Sequence, residues 1–285
     1  VKSEKLKVTI TGTGIPHVAP GRAGAGVLVQ SGTTQLQFDA GRATTLRLAE
    51  VGVATSDLTA MFLTHHHSDH CVDIDDILFN RWILRAGSLP VIVPDGPLSD
   101  FGERLLSAWR ADLEIREHVT GRDPLSLDWR PFAARAESDV VFEHGGVTVR
   151  SVLVEHPPVE PAVAYRVDAG GHAVVVSGDT RTCDAVEKLS FGADVLVHEV
   201  ALRELMPSGG DASVYSYHAD AVDLGAMAER SGVETLVLTH LLPPPRSPDE
   251  EELFARRVRD GGFTGELIVG RDLWARVIDH GGDRR

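Results

Sequence analysis

Cysteine is nearly absent from this 285-residue chain, which holds only Cys71 and Cys183. Two thiols exclude a disulfide framework and fit a reducing compartment such as the cytoplasm. Long hydrophobic runs are missing too. No stretch approaches the ~18 consecutive apolar residues of a membrane-spanning helix, and the opening VKSEKLKVTI has no apolar segment of the signal-peptide kind. Cationic charge is in short supply, with 28 Lys and Arg against 42 Asp and Glu and a formal net charge of −14. Phosphate backbones are gripped by Lys and Arg, so this balance argues against nucleic acid and for a small-molecule substrate. No Ser- or Gly-rich linker divides the chain, so residues 1–285 are expected to form one domain.

What is present is a regular alternation. The chain is 42% hydrophobic, enough for a sizeable core. KLKVTI, GVLVQ and TQLQFDA open as strands, followed by a short helix over 42–51. MFLTH is a further strand, IDDILFNRWIL has helical apolar spacing, LPVIVPD returns to strand and 99–110 is helical. The second half repeats the theme with VTVRSVLVEH, AVAYRVD, HAVVVSGDT, ADVLVHE and ETLVLTHL, and helices over 182–190, 219–231 and 249–259. Strands alternating with helices imply α/β layers, with antiparallel hairpins starting each half. The least regular region, about 112–146, is a candidate lid or edge insertion.

The densest chemistry lies in FLTHHHSDHC, Phe62–Cys71. His65, His67, Asp69 and His70 follow the pattern His-x-His-x-Asp-His, with His66 and Ser68 as spacers. Ending a buried strand in imidazoles and a carboxylate is costly unless something satisfies them, and a metal does so. Alternation along an extended segment puts His65, His67 and Asp69 on one side, and His70 begins the turn into a helix. Four ligands within six residues exceed the needs of one tetrahedral zinc, so the cluster suits two ions. His156, Asp179, His198 and His240 each close an apolar strand, where α/β proteins place their sites. Cys71 is off the motif and is expected to be a small core residue. Gly12-Thr13-Gly14 lacks the rest of a dinucleotide fingerprint and reads as a tight turn.

These residues carry a resemblance. TGTG…P…GRAG, LQFDAG, LTHHHSDH, VEHPPVEPAVAYRV, VVVSGDT, VLVHE and VLTHL together resemble a metallo-β-lactamase-fold hydrolase, in the branch holding ribonuclease Z and arylsulfatase-like enzymes. The resemblance spans nearly the whole chain and implies an αββα sandwich, an α/β fold with the site on the shared edge of two halves. It implies that His65, His67 and His156 hold one metal, that Asp69, His70 and His240 hold another, and that Asp179 bridges them. Zinc is the default, with manganese or iron compatible with ligands that include no thiolate. In such a centre a bridging water loses a proton near neutral pH and attacks, with Asp69 orienting it. The resemblance also pairs Glu199, after His198, with His218, making His218 the acid for the departing oxygen.

Substrate is less legible. Ribonuclease Z enzymes typically carry a long tRNA-gripping arm between the third histidine motif and the bridging aspartate. Here His156 and Asp179 are 23 positions apart, room for one hairpin. The expectation is therefore a binuclear hydrolase of a small phosphodiester, aryl sulfate, ester or lactone, rather than a tRNA 3′-processing endoribonuclease or a non-catalytic metal sensor. Pocket walls are expected from Phe79 and Trp82, from Trp109 and Trp129, and from LMPSGGDASVYSYH. The resemblance alone suggests a homodimer.

Overall fold

The apolar runs that read as strands do pair. The computed structural model describes residues 5–209 and 211–279, and its strands form two seven-stranded mixed sheets. The first sheet contains β1 (Leu6–Gly12), β2 (Gly26–Ser31), β3 (Thr34–Phe38), β4 (Ala60–Phe62), β5 (Pro90–Pro94) and β6 (Asp128–Phe132) in spatial order. The second contains β7 (Asp139–His144), β8 (Val147–Leu153), β9 (Val163–Ala169), β10 (His172–Val176), β11 (Val195–Ala201), β12 (Thr235–Leu242) and β13 (Glu266–Val269) in the same manner. The last strand, β14 (Ala275–Ile278), returns to the first sheet and pairs antiparallel with β1. Each half starts antiparallel and continues parallel, β3 to β6 in one and β10 to β13 in the other.

The central strands are apolar on both faces because both faces are covered. In β10, Val174 and Val176 face the other sheet, while Ala173 and Val175 face helices. The layer between the sheets is built from β-branched side chains and the rings of Phe38, Phe62 and Tyr165, with Phe38 and Phe62 stacked at 4.8 Å between centroids. Outside the first sheet lie α1 (Thr44–Glu50), α2 (Ser68–Cys71) and α3 (Ile74–Ile83), and Cys71 sits in that core as expected. Outside the second lie α4 (Asp184–Leu189), α5 (Ala221–Ser231) and α6 (Pro248–Asp260). The result is helix, sheet, sheet, helix: the αββα sandwich.

Region 112–146 is more regular than its sequence suggests. It contains most of a helix, Arg110–Thr120, then β6 and β7, the outer strands of the two sheets. It is the passage from one sheet to the other, and none of its residues lines the cavity described below. Between His156 and Asp179 the chain does form a single hairpin, β9 and β10. Gly170 and Gly171 turn it with φ of 59° and 87°, the two positive values a type I′ turn demands.

One carboxylate ties the C-terminal segment to the first half. Asp272 accepts hydrogen bonds from Thr13 N, Thr13 Oγ1 and Ala23 N at 3.0, 2.8 and 2.6 Å, and from Arg47 Nε at 3.2 Å. It thereby fixes both ends of the loop that runs from β1 to β2.

Candidate metal centre

The chemistry-bearing residues gather where strands end. Asp39 follows β3, His65 and His67 follow β4, Asp179 follows β10, and His156 lies three residues beyond β8. This is the edge formed by the carboxyl ends of the parallel strands, where open α/β sheets bind ligands. Strand alternation decides which residues arrive. In β11, Val195 and Val197 face the opposite sheet, and Glu199 keeps that parity and reaches the site. His198 has the parity of Leu196 and Val200 on the helix side, is fully buried, and donates from Nδ1 to the Glu199 carbonyl at 2.7 Å. His198 therefore lies outside the cluster.

His240 should face the helices by the same alternation, but a bulge redirects it. Glu199 pairs with Thr239 and Val200 with Leu241, leaving His240 unpaired with φ 45°. Left-handed backbone at a non-glycine residue is uncommon, and bulges re-aim side chains beside active sites. Gly178 solves a related problem: its φ is 61°, and a Cβ there would meet the Thr64 side chain at 2.7 Å. Only glycine lets the Asp179 loop pass so close to the histidine segment. The histidine segment itself departs from expectation after His67. Ser68–Cys71 is a short helix with His67 at its N-cap position, so Asp69 joins His70 on a helical turn.

Two groups of ligand-capable atoms result, His65, His67, His156 and Asp179 in one and Asp69, His70 and His240 in the other, each drawn within 4.8 Å, and a third set, Asp179, His218 and His240, overlaps them at the same spacing. Asp179 touches both of the first two. Its Oδ2 lies 3.7 Å from His65 Nε2, 3.8 Å from His156 Nε2 and 3.4 Å from His240 Nε2, and its Oδ1 lies 3.3 Å from His70 Nε2. Asp69 Oδ2 stands 3.3 Å from His240 Nε2 and 3.7 Å from His70 Nε2. His65 Nε2, His70 Nε2 and Asp179 Oδ1 are buried yet make no well-aligned hydrogen bond. Leaving such atoms unsatisfied is costly, and convergent imidazoles and carboxylates are a donor set that divalent ions take up. The residues fit a metal centre.

The opposite ring nitrogens are held from behind. Nδ1 of His70 donates to Asp39 Oδ2 at 2.8 Å, and Nδ1 of His156 donates to the Tyr217 carbonyl at 3.1 Å. The Thr64 hydroxyl donates to Asp39 Oδ2 at 2.9 Å and accepts from His65 Nδ1 at 3.0 Å. Such outer partners fix tautomer and ring orientation, leaving Nε2 as the atom that would ligate a metal. Burial pushes the His65 and His156 imidazoles below their ordinary pKa, and that of His67 to about 4. Neutral imidazole is the ligating form. Burial opposes charge on His70 as well, but Asp179 and Asp39 outweigh it and raise its pKa.

Beside this centre stands a second arrangement. Glu199 is fully buried, and its carboxylate accepts from Thr180 N at 3.0 Å, Ala219 N at 3.2 Å and His218 Nδ1 at 2.8 Å. Burial works against a charged His218, but the Glu199 carboxylate prevails and raises its pKa to about 9. His218 does not cap the following helix; Asp220 does, accepting from Val222 N and Asp223 N. With Nδ1 committed to Glu199, Nε2 is the atom His218 turns to the cavity it lines.

That cavity has a volume of about 440 Å³ and reaches His67, Asp69, Asp179, His218 and His240. Met206, Pro207, Asp211, Val214, Tyr215 and Tyr217 wall it, within the stretch the sequence suggested, together with Ile15 and Pro16 from the loop after β1. Phe79, Trp82, Trp109 and Trp129 do not line it. Trp109 packs edge-on against Phe79, Trp82 Nε1 donates to the Asp123 carbonyl, and Trp129 lies over Gly102. Those rings serve packing on the outer side of the first sheet. Asp39 is the site residue that sequence reasoning passed over. Its signal was the same as for the others, a carboxylate closing an apolar strand in LQFDAG.

A family model described as the beta-lactamase superfamily domain matches residues 28–241. The ribonuclease Z of Mycobacterium bovis (strain BCG / Pasteur 1173P2) is 34% identical over 277 residues, covering 94% of this chain and 96% of that protein. Among solved structures, the metallo-beta-lactamase fold protein YhfI from Bacillus subtilis superposes with a TM-score of 0.72 at 23% identity, covering 96% of this chain and 99% of that one. The short form of human tRNase Z gives 0.69 at 20%, covering 95% and 98%. A relative named ribonuclease Z that matches over 96% of its own length leaves no room for a long insertion lacking here. The short span between His156 and Asp179 therefore does not set this chain apart from that relative.

Proposed function

Because the chain belongs to the metallo-β-lactamase superfamily of metal-dependent hydrolases, we propose that it cleaves RNA phosphodiester bonds, as a 3′-processing endoribonuclease of the ribonuclease Z kind. The observation that carries this reading is the 34% identity to a ribonuclease Z along nearly all of both chains. The Glu199–His218 pair beside the metal cluster supports it, because a poor alkoxide leaving group needs a proton donor.

In this reading His65, His67, His156, Asp69, His70, His240 and Asp179 would hold two divalent ions, zinc by default. Such ions would supply Lewis acidity at the scissile phosphorus and a nucleophile at neutral pH. The protein's residues do the rest. Asp69, facing the cavity, orients the attacking water. His218 delivers the Nε2 proton to the departing oxygen, and Glu199 holds the ring in place and stabilises its charged form. Asp39 and Thr64 keep His65 and His70 aimed.

A small diester or aryl ester is the second reading, favoured by one observation. Among the described residues no Lys or Arg lines the cavity, and the whole chain carries a net charge of −14. The two readings separate in one assay. Zinc-loaded protein is given a precursor tRNA with a 3′ trailer, bis(p-nitrophenyl) phosphate, an aryl sulfate and a lactone, with and without chelator. The ribonuclease reading expects chelator-sensitive release of the trailer at low salt. Turnover of small esters with intact precursor at every salt concentration would replace it with the second reading.

A further inference from the structure

The cavity has two unlike sides. One is the metal cluster, polar and crowded with imidazoles. The other is apolar, with Met206, Val214, Tyr215 and Tyr217 presented by the loop that ends at His218. The one carboxylate on that wall is Asp211, which accepts from Ser213 N at 2.9 Å. Among the described residues no Lys or Arg lines the cavity, although Arg203 acts on the Tyr215 phenol from outside the lining.

We infer that this chamber receives the first unit of the leaving group, and that the unit is flat and uncharged: a single nucleoside or an aryl alcohol, not one bearing a further anion inside the chamber. The inference rests on the phosphodiesterase reading. His218 marks the leaving-group side. In hydrolysis the water oxygen forms a bond to phosphorus and the bond from phosphorus to the departing oxygen breaks. That oxygen takes the Nε2 proton of His218, and the proton given up by the water restores the Glu199–His218 pair. The departing group therefore lies against His218, among the residues flanking it in the loop. Tyrosine, methionine and valine offer stacking and dispersion to a ring. They offer an anion only the tyrosine hydroxyls, because the charge on His218 is already paired with Glu199. Burying a charge without a counter-charge is costly, and Asp211, exposed at the rim, adds a solvent-screened repulsion. A volume of about 440 Å³ lies within the usual range for a site enclosing one small organic group.

The test compares methyl 4-nitrophenyl phosphate with its 3-carboxy derivative, which differ in charge on the leaving group, using zinc-loaded protein. The carboxylated diester should show at least tenfold lower kcat/KM, Asp211→Asn should narrow that gap, and Tyr215→Ala should raise KM for the neutral diester more than it lowers kcat. Equal kcat/KM for the two diesters would overturn the inference. Cleavage of neither would instead remove the phosphodiesterase reading, and the chamber is then judged by uridine binding in ligand-detected NMR. Binding weakened at least fivefold by Tyr215→Ala upholds the chamber; absent or unaltered binding overturns it.

Discussion

Nδ1 of His218 lies 2.8 Å from Oε1 of Glu199, a carboxylate that two backbone N–H groups, from Thr180 and Ala219, also hold. The pair is set up to keep the imidazole charged. In the metal-free protein His218 should titrate near pH 9. A folded value raised above the unfolded one means that its contribution to stability is fully present below about pH 6.5. That contribution is lost as pH rises through about 9. Glu199→Gln should bring the His218 titration, followed by NMR of the imidazole C–H signals, down towards its ordinary value, since burial and His70 are then opposed only by Asp179. An unmoved titration would show that Glu199 is not the cause.

His218→Ala should keep the full metal complement and lose about 10²–10⁴ in turnover, the range for a positioned acid. The loss should shrink for p-nitrophenol as leaving group, which departs without a proton. A loss of the same size for alkyl and nitrophenyl leaving groups would make His218 a binding residue.

Metal analysis separates the roles of two carboxylates. Asp179→Ala should lower affinity for both ions together, because Asp179 contacts members of both ligand groups. Asp39→Ala touches neither ion in this reading and should weaken retention about 10- to 100-fold by loosening His70 and His65. Thermal midpoints of both variants should respond less to added zinc than the parent, as binding to the folded state alone requires. A parent protein that takes up one ion at most would remove the binuclear assignment.

Gly225 offers a stability test remote from chemistry. It lies in α5, where a Cβ would come within 2.0 Å of the Val258 carbonyl in α6. Gly225→Ala should cost about 1–3 kcal/mol by forcing those helices apart, measured by denaturant unfolding, with kcat unchanged. A variant as stable as the parent would show that the helices separate freely.

The sequence displayed most of this architecture because its central strands are covered on both faces and so appear as unbroken apolar runs. The edge strands do not. β6, DWRPF, carries a proline and two charges, and β7 is largely exposed, so region 112–146 looked irregular. The histidine positions were legible because polar residues ending apolar strands stand out. Their aim was not. Period-two alternation sends His198 away from the site and would have sent His240 with it, and only the bulge at His240 reverses that. Asp39 escaped notice because its partners, Thr64 and His70, lie 25 and 31 residues away.

The crossing of β14 back to β1 has a consequence for how the molecule is made. The first sheet contains the earliest strands to leave the ribosome, yet its outer member is the last of the described elements to be synthesised. Asp272, which anchors the loop beside the cavity, emerges with it. The amino-terminal half therefore cannot finish folding as an independent unit during translation, although domains commonly do fold in that order. Until Ile278 is made, β1 presents an unpaired edge, and a nascent chain stalled between the two halves exposes it to any passing strand.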